Sequence, residues 1–360
     1  MRNLSVWLLS VLLVVVTAQA QAYSAMYVFG DSLSDDGNNQ AFLVNFLGLP
    51  ATVAPYQVPG SSEPLVPTTP YVVPAGTHTY SNGPVWVDYL ADSLGLPLTP
   101  SLAGGTNYAY GGARTGDLGL GDGNGDMPFS LRVQVGLATG FPPAPLPGEA
   151  LYVVWGGGND IRALGAQLGP KLADPLTRAQ AEADLVAGIG AGINNLGSIL
   201  STLTNAGARN FLIPNVPDIG ITPIARFLEV KGQPGTMDLL TKLSFSFDES
   251  LVALLAPLKS NPLLNITTLD VFKFNHDVLA NAAPGYNATD ACTSQNAFTA
   301  CSDPENFLYW DGVHPTTASH RAIAALALSA LQPVPLPASL PLAVGGGVVL
   351  LGLARRRRAA

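Results

Sequence analysis

The chain has 360 residues, of which 12% are charged, and its formal net charge is −8. Its net acidity, and the lack of a basic cluster before Arg355–Arg358, argue against nucleic acid as a partner. The 38 glycines and 30 prolines predict long loops, in a chain that could still build one large core or two small ones.

The N-terminal segment has the pattern of a secretory signal peptide. A short cationic start, Met1–Asn3, precedes the apolar run Val6–Thr17 and the small residues Ala18–Ala22. We expect cleavage after Ala20 or Ala22, which leaves a domain over residues 23–332. A retained membrane anchor is the alternative, and the shortness of the apolar run disfavours it.

Short apolar runs alternate with helical patterns along the domain. The runs predicted as buried strands are Met26–Phe29, Leu151–Trp155, Asn210–Ile213 and Ile266–Val271. The predicted helices are Arg178–Thr204, Met237–Leu258 and Thr316–Leu331, and Gly207 is a predicted C-cap. This alternation predicts an α/β fold, a three-layer α/β/α sandwich around a mostly parallel sheet.

Two loops are prominent in the sequence. Residues 52–79 are rich in proline, threonine and valine, which predicts an insertion near a substrate pocket. The segment Gly121–Asp126 is similar to the start of a calcium loop through Asp122, Asn124 and Asp126. A solvated turn is the favoured interpretation, because the expected glycine is Met127 and no glutamate follows at the required spacing.

The chemistry of the chain centres on Ser32, which follows the first predicted strand, and on His314, near the other end of the domain. A serine hydroxyl becomes a useful nucleophile when an imidazole takes its proton and a carboxylate orients the imidazole. Asp311 lies three residues before His314 and can take the orienting role. The other histidines, His78, His276 and His320, are interpreted as structural or exposed.

Two glycine-containing segments could supply hydrogen-bond donors to an oxyanion. Asn107–Ala113 contains Gly111 and Gly112, where a backbone N–H can approach a ligand without an obstructing Cβ. In Gly156–Asp160 the candidate donor is the side-chain amide of Asn159. The backbone N–H of Ser32 would be a further donor.

Taken in order, these segments resemble the four sequence blocks of the GDSL family of serine esterases and lipases, also called SGNH hydrolases. The blocks are Gly30–Asn38, Asn107–Ala113, Gly157–Asp160 and Asp311–Pro315, and the resemblance spans residues 23 to about 331. It implies a flavodoxin-like sandwich, Ser32, Asp311 and His314 as catalytic residues, and Ser32, Gly112 and Asn159 as the oxyanion hole. Spacing alone, five residues after Asn107, favours Gly112 over its neighbour Gly111, so both remain candidates.

The resemblance implies an ester hydrolase that forms an acyl-enzyme on Ser32 and needs no cofactor. Its substrates would be small-molecule or lipid esters. One alternative is a carbohydrate O-acetyl esterase that acts on extracellular polysaccharide. A surface binding protein without catalysis is another, and the presence of Ser32, Asn159, Asp311 and His314 argues against it.

The chain has two cysteines, Cys292 and Cys301, in a polar stretch. In an exported protein this pair predicts one disulfide that closes a small loop. A metal site is disfavoured, because neither His276 nor His314 has metal-ligand spacing to the pair.

The C-terminal segment, residues 333–360, is treated as separate from the domain. Val334–Ala338 precedes the apolar stretch Ser339–Ala354 and then Arg355–Arg358. This order resembles a PEP-CTERM sorting signal, which implies a Gram-negative envelope protein with transient inner-membrane contact and cleavage by an exosortase-like protease. A simple membrane anchor with its arginines in the cytoplasm is the alternative. Both place the catalytic domain outside the cytoplasm.

Overall fold

The computed structural model describes residues 23–47, 78–121, 129–140, 142–293 and 300–332. The predicted signal peptide, the predicted sorting segment after residue 332, residues 52–77 of the predicted insertion and the calcium-like loop Asp122–Asp126 lie outside the described residues. Residues Tyr23–Leu331 belong to one compact unit.

Strands and helices alternate along this unit. The strands are β1 (Met26–Gly30), β2 (Leu151–Trp155), β3 (Asn210–Pro214), β4 (Asn265–Leu269), β5 (Asn287–Ala291) and β6 (Phe307–Tyr309). The helices are α1 (Asn38–Leu47), α2 (Trp86–Leu94), α3 (Leu131–Thr139), α4 (Gly158–Ala173), α5 (Arg178–Ala206), α6 (Pro223–Val230), α7 (Thr236–Lys259), α8 (Val271–Asn281) and α9 (Thr317–Leu331).

The main sheet is parallel, with β1, β2, β3 and β4 side by side in that order. A short segment around Asn107 pairs with Val28 in β1, where Tyr108 N–H donates to the Val28 carbonyl at 2.8 Å. Because β2 occupies one edge of β1, this segment lies along the other edge. The chain therefore leaves β1 in one direction and returns to β2 on the opposite side, and ligands of open α/β sheets bind at such a reversal.

Helices cover both faces of the sheet, so the predicted three-layer α/β/α fold is confirmed. Alternate strand residues point to opposite faces. One face packs against α2 and α9, through a cluster that includes Met26, Val28, Leu151, Val153, Trp86, Leu90 and Ile323. The other face packs against α3, α4, α5 and α7, through a cluster that includes Phe29, Tyr152, Val154, Phe211, Leu164, Leu196 and Phe247. All residues of β2 and β3 are buried, as continuous apolar strands require.

Element boundaries differ from prediction where a side chain caps a helix. The strand predicted over Ile266–Val271 ends at Leu269, because the Asp270 carboxylate accepts the Lys273 N–H at 2.9 Å and begins α8. That prediction was wrong at its C-terminal end. The last helix begins one residue later than predicted, at Thr317.

The long helix α5 extends two residues beyond its predicted end and stops where the sequence indicates. Gly207 has a φ of 119° and its N–H bonds to the carbonyls of Leu203 and Thr204, which confirms the predicted C-cap. Among the described helices, α5 is long and apolar enough to cross a membrane by length and composition. It buries Leu185 and Leu196 against the sheet, so we assign it to the core of this domain.

A second, two-stranded sheet of β5 and β6 was not predicted from the sequence. It is parallel, and the predicted disulfide between Cys292 and Cys301, with a Cα–Cα distance of 4.9 Å, lies directly after β5. Cys292 N–H donates to the Tyr309 carbonyl at 3.0 Å, and Thr293 N–H donates to the Trp310 carbonyl at 2.9 Å. The disulfide therefore anchors the strand that leads into Asp311.

Reduction of this disulfide is expected to lower the melting temperature by a few degrees. A loop of this length stabilises a fold by about 2 to 3 kcal/mol through the entropy of the unfolded chain. Calorimetry with and without reductant, with thiol titration to show complete reduction, measures the effect. The double variant Cys292→Ser/Cys301→Ser is the control and should not respond to reductant. An unchanged melting temperature of the fully reduced protein would contradict the prediction.

Candidate active site

The end of β1 is a tight turn that presents Ser32. The Asp31 carboxylate accepts the Leu33 N–H at 3.0 Å, and the Asp31 carbonyl accepts the Ser34 N–H at 3.0 Å. On the strand side, the Gln134 amide from α3 bonds to both the N–H and the carbonyl of Gly30, at 2.9 and 2.8 Å. These contacts hold the turn from both ends, so that Ser32 stands at the C-terminal edge of the sheet with 8% of its surface exposed.

His314 lies beside Ser32 although 282 positions separate them in the chain. The distance from His314 Nε2 to Ser32 Oγ is 2.9 Å, and from His314 Nδ1 to Asp311 Oδ2 it is 2.7 Å. If Nδ1–H donates to the carboxylate, Nε2 is left as an acceptor for the serine proton. The structure thus brings together a hydroxyl, an imidazole and a carboxylate in the order that nucleophilic catalysis needs.

Asp311 is held as a carboxylate. Burial acts to raise its pKa, but the His314 ring and the hydrogen bonds donated by His314 and Val313 together keep the pKa below its usual range. The two backbone N–H groups reach Asp311 Oδ1 at 2.7 and 2.8 Å, so each oxygen of the carboxylate has a partner. A charged and fully bonded Asp311 fixes the orientation of the imidazole.

The structure distinguishes the two candidate glycines. The Gly111 N–H donates to Asp35 Oδ2 at 2.9 Å and is already used. Gly112 is exposed, has a φ of 81°, and its N–H donates to no residue that the structure describes. Gly112 is therefore the glycine with an N–H available to a ligand.

Asn159 occupies the first turn of α4, directly after β2. Its Nδ2 donates to the Ala113 carbonyl at 3.0 Å and lies 3.4 Å from Asp31 Oδ2, while its Oδ1 accepts from Arg162 Nη1 at 3.1 Å. These partners fix which end of the amide faces the nucleophile turn. The contact with Asp31 is long, so this second N–H of the amide is the one available to a ligand.

Asp31 places a carboxyl beside these donors. Burial raises its pKa to about 6, against the opposing effects of the Leu33 N–H and the His314 ring. The carboxyl therefore gains its full negative charge only above that pH.

Tyr80 is a residue of the site that the sequence did not single out. Its ring packs on the His314 ring, with 5.1 Å between centroids and an angle of 41° between planes. Its hydroxyl accepts a hydrogen bond from the Asn39 amide. In the sequence, Tyr80 is an aromatic residue in the loop before α2, and nothing in its local sequence distinguishes it from other aromatic loop residues.

These groups surround a cavity that opens to solvent at the ends of β1 and β2. Ser32, Asn159 and His314 line it, together with apolar side chains and a smaller number of polar ones. The apolar lining residues include Leu33, Trp155, Ile219, Val271 and Val313, and the polar ones include Arg162, Asn275 and Tyr309. Asp311 lies behind His314, and Gly112 lies on a loop outside the cavity lining that is joined to Asn159 through the Ala113 carbonyl.

The family model described as "GDSL-like Lipase/Acylhydrolase" matches residues 26–327. The chain belongs to this family. As a GDSL-like hydrolase it acts on ester bonds.

Individual proteins are similar to this chain. Lipase 1 of Photorhabdus luminescens is 32% identical over 223 residues, which are 62% of this chain and 27% of that lipase. This chain therefore spans about a quarter of the length of that relative. A GDSL esterase/lipase of Arabidopsis thaliana is 29% identical over 356 residues, which are 87% of this chain and 88% of the plant protein. The solved extracellular lipase of Streptomyces rimosus is 14% identical, with a TM-score of 0.41 and coverage of 85% of this chain and 100% of the lipase.

The GDSL-like hydrolase contains a second histidine–carboxylate pair, His276 with Asp218, at 2.9 Å. The other oxygen of Asp218 accepts from the Gly220 N–H and the Thr241 hydroxyl at 2.8 and 2.7 Å. Among the described residues, no hydroxyl is hydrogen-bonded to the His276 ring, so no candidate nucleophile accompanies this pair there. His320 is buried and its Nδ1 accepts the Trp86 N–H at 3.3 Å, which makes it a structural residue as interpreted from the sequence.

Among the residues that the structure describes, no cluster of three or more His, Cys, Asp or Glu side chains could hold a metal ion.

Proposed function

We propose that the chain is an exported carboxylic ester hydrolase in which Ser32, His314 and Asp311 act as a catalytic triad. The observation that carries the proposal is the pair of distances at His314, 2.9 Å to the Ser32 hydroxyl and 2.7 Å to the Asp311 carboxylate. Both lie in the range over which a base can take a proton from a nucleophile and be oriented by a carboxylate.

The first half of the reaction transfers the acyl group to the enzyme. Ser32 Oγ bonds to the ester carbonyl carbon as its proton moves to His314 Nε2, and the electron pair of the carbonyl double bond moves to the oxygen. When this tetrahedral intermediate collapses, the bond to the alcohol oxygen breaks. His314 returns its proton to the leaving alcohol, and the acyl group stays on Ser32.

Water completes the cycle by the same route in reverse. His314 Nε2 takes a proton from water as the water oxygen bonds to the acyl carbon. The bond to Ser32 Oγ then breaks, Ser32 recovers a proton from His314, and the carboxylic acid leaves. Throughout, Asp311 stabilises the imidazolium that forms.

In both halves a negative oxygen must be stabilised. We assign this role to the backbone N–H groups of Ser32 and Gly112 and to the Asn159 amide. Gly112 is supported by the engagement of the neighbouring Gly111 N–H with Asp35, and Asn159 by the two partners that fix its amide. Preorganised donors of this kind contribute a few kcal/mol each to the transition state.

The proposed location is outside the cytoplasm. The apolar segment Val6–Thr17 with its small-residue end supports export, and the disulfide Cys292–Cys301 suits an oxidising compartment. The segment Val334–Arg358 supports transient contact with the inner membrane and removal by an exosortase-like protease.

Covalent labelling tests the proposed function. Incubation with diethyl p-nitrophenyl phosphate should release one p-nitrophenolate per chain, abolish hydrolysis of p-nitrophenyl butyrate, and leave a diethylphosphoryl group on the peptide that contains Ser32. Peptide mass spectrometry locates the group, and chain unfolded in urea before labelling is the control that should not react. A label on another residue would reassign the nucleophile, and no hydrolysis and no label would favour a binding protein.

A further inference from the structure

Tyr80 contacts both halves of the proposed catalytic apparatus. One side of its ring packs on His314, at 5.1 Å between centroids. The ring also occupies the space that a side chain at Gly111 would need, since a Cβ added there would overlap the ring carbons and the hydroxyl of Tyr80. The position of the base and the position of the loop that carries Gly112 are therefore both limited by one ring.

Hydrogen bonds connect the Tyr80 hydroxyl to the same loop. The Asn39 amide donates to the Tyr80 hydroxyl and, with its second hydrogen, to the Gly111 carbonyl at 3.0 Å. The backbone N–H of Gly111 donates to the Asp35 carboxylate, which also accepts the Asn39 backbone N–H at 3.3 Å. Gly111 is thus held at its carbonyl, at its N–H and at its Cα, and Gly112 follows it directly.

Tyr80 does not line the cavity, so it can affect the reaction only through His314 and through the loop that carries Gly112. It is 8% exposed, and the residues that form the cavity walls do not include it. The proton acceptor of the reaction remains His314 and the oxyanion donor remains Gly112. A displacement of about 1 Å in either group costs up to about 100-fold in rate, so a rigid contact to both has a large effect.

We propose that Tyr80 is a positioning residue, which sets the His314 ring and the Gly111–Gly112 loop in one geometry through its ring. The inference rests on the proposed function. It goes beyond that function because it names an aromatic side chain outside the cavity as a determinant of turnover. A residue of this kind affects the transition state more than substrate binding, since it does not itself line the cavity and acts through His314 and the Gly111–Gly112 loop.

The first test compares Tyr80→Leu with Tyr80→Phe on p-nitrophenyl butyrate. We expect Tyr80→Leu to lower kcat by about 10-fold or more with KM within about twofold. Tyr80→Phe keeps the ring against His314 and loses the contact with Asn39, so its loss should be smaller. Tyr152→Leu is the matched control, a buried tyrosine in β2 that should lose stability without a comparable loss of kcat.

The second test uses the close approach of Tyr80 to Gly111. Gly111→Ala should lower kcat by about 10-fold or more in the wild-type background, because the new methyl group displaces the ring or the loop. In a Tyr80→Ala background the methyl group has room. There Gly111→Ala should lower kcat by less than about threefold relative to Tyr80→Ala alone. Non-additivity of this kind requires contact between the two positions.

Defined outcomes would overturn the inference. These are a full kcat in Tyr80→Leu, an equal loss in Tyr80→Phe and Tyr80→Leu, a loss confined to KM, or multiplicative losses in the double variant. If Tyr80→Leu and Tyr80→Ala do not fold, the comparison of Tyr80→Phe with Gly111→Ala decides. The inference then requires that Tyr80→Phe retain a higher kcat than Gly111→Ala. Wild-type activity no greater than that of Ser32→Ala would instead remove the proposed function itself.

Discussion

Replacement of His314 by alanine should lower kcat for p-nitrophenyl butyrate by about 10⁴-fold or more. Without the imidazole, the Ser32 hydroxyl loses its hydrogen-bond acceptor among the described residues, and in the proposed mechanism the leaving alcohol loses its proton donor. Folding should change little, because Asp311 keeps its two backbone N–H partners and the ring of Tyr80 remains packed beside Gly111. Stopped or continuous assays of nitrophenolate release measure kcat, and circular dichroism with thermal melting measures folding.

A matched histidine variant serves as control for this prediction. His276→Ala also breaks a histidine–carboxylate contact of 2.9 Å, but His276 does not line the cavity and bonds to Asp218 rather than to Ser32, so this variant should retain activity. Added imidazole should restore part of the activity of His314→Ala by diffusing into the vacated space. Near-normal turnover of His314→Ala without added imidazole would mean that another group is the base.

Replacement of Ser32 by alanine should have an effect of the same size. The variant cannot form an acyl-enzyme, so the residual rate would come only from binding and oxyanion stabilisation acting on water. Diethyl p-nitrophenyl phosphate should no longer label the chain. Ser93→Ala, which removes an exposed hydroxyl on α2, is the control and should behave as the wild type.

The two substitutions should not combine. In the proposed triad Ser32 and His314 act in the same proton transfer, so loss of either removes the contribution of both, and the double variant should be about as slow as each single variant. The measurement is kcat for the wild type, both single variants and the double variant. Losses that multiply would show that the two residues contribute to separate steps, which is incompatible with the proposed triad.

The layers of the fold could be predicted from local patterns because each pattern has a local cause. β2 is apolar at each position and lies where predicted, and α5 has helical spacing, begins where predicted and ends at the predicted C-cap Gly207. The sheet β5–β6 could not be predicted in this way. Its first strand, Asn287–Ala291, has the composition of a turn and forms only because Phe307–Tyr309 supplies its hydrogen-bond partners.

The boundary error at Asp270 has a related cause. Ile266–Val271 is a continuous β-favouring run except for one aspartate, and that aspartate can end a strand or cap a helix. The choice depends on α8 having a surface to pack on, which is a tertiary property. Val271 is the first residue of α8, and its side chain is buried in the apolar cluster that also contains Ile323 of α9.

The site divides in the same way. By itself the sequence determined which residue types are candidates for the chemistry, since a serine after a strand, an Asp-x-x-His segment and the Asn159 block are each readable from local order. Only the tertiary structure decided that Ser32 and His314 lie 2.9 Å apart, that Gly111 is engaged and Gly112 is available, and that Tyr80 packs between base and loop. The physical reason is that reactivity depends on distances across the sheet edge, and those distances are set by packing and by hydrogen bonds between segments far apart in the chain.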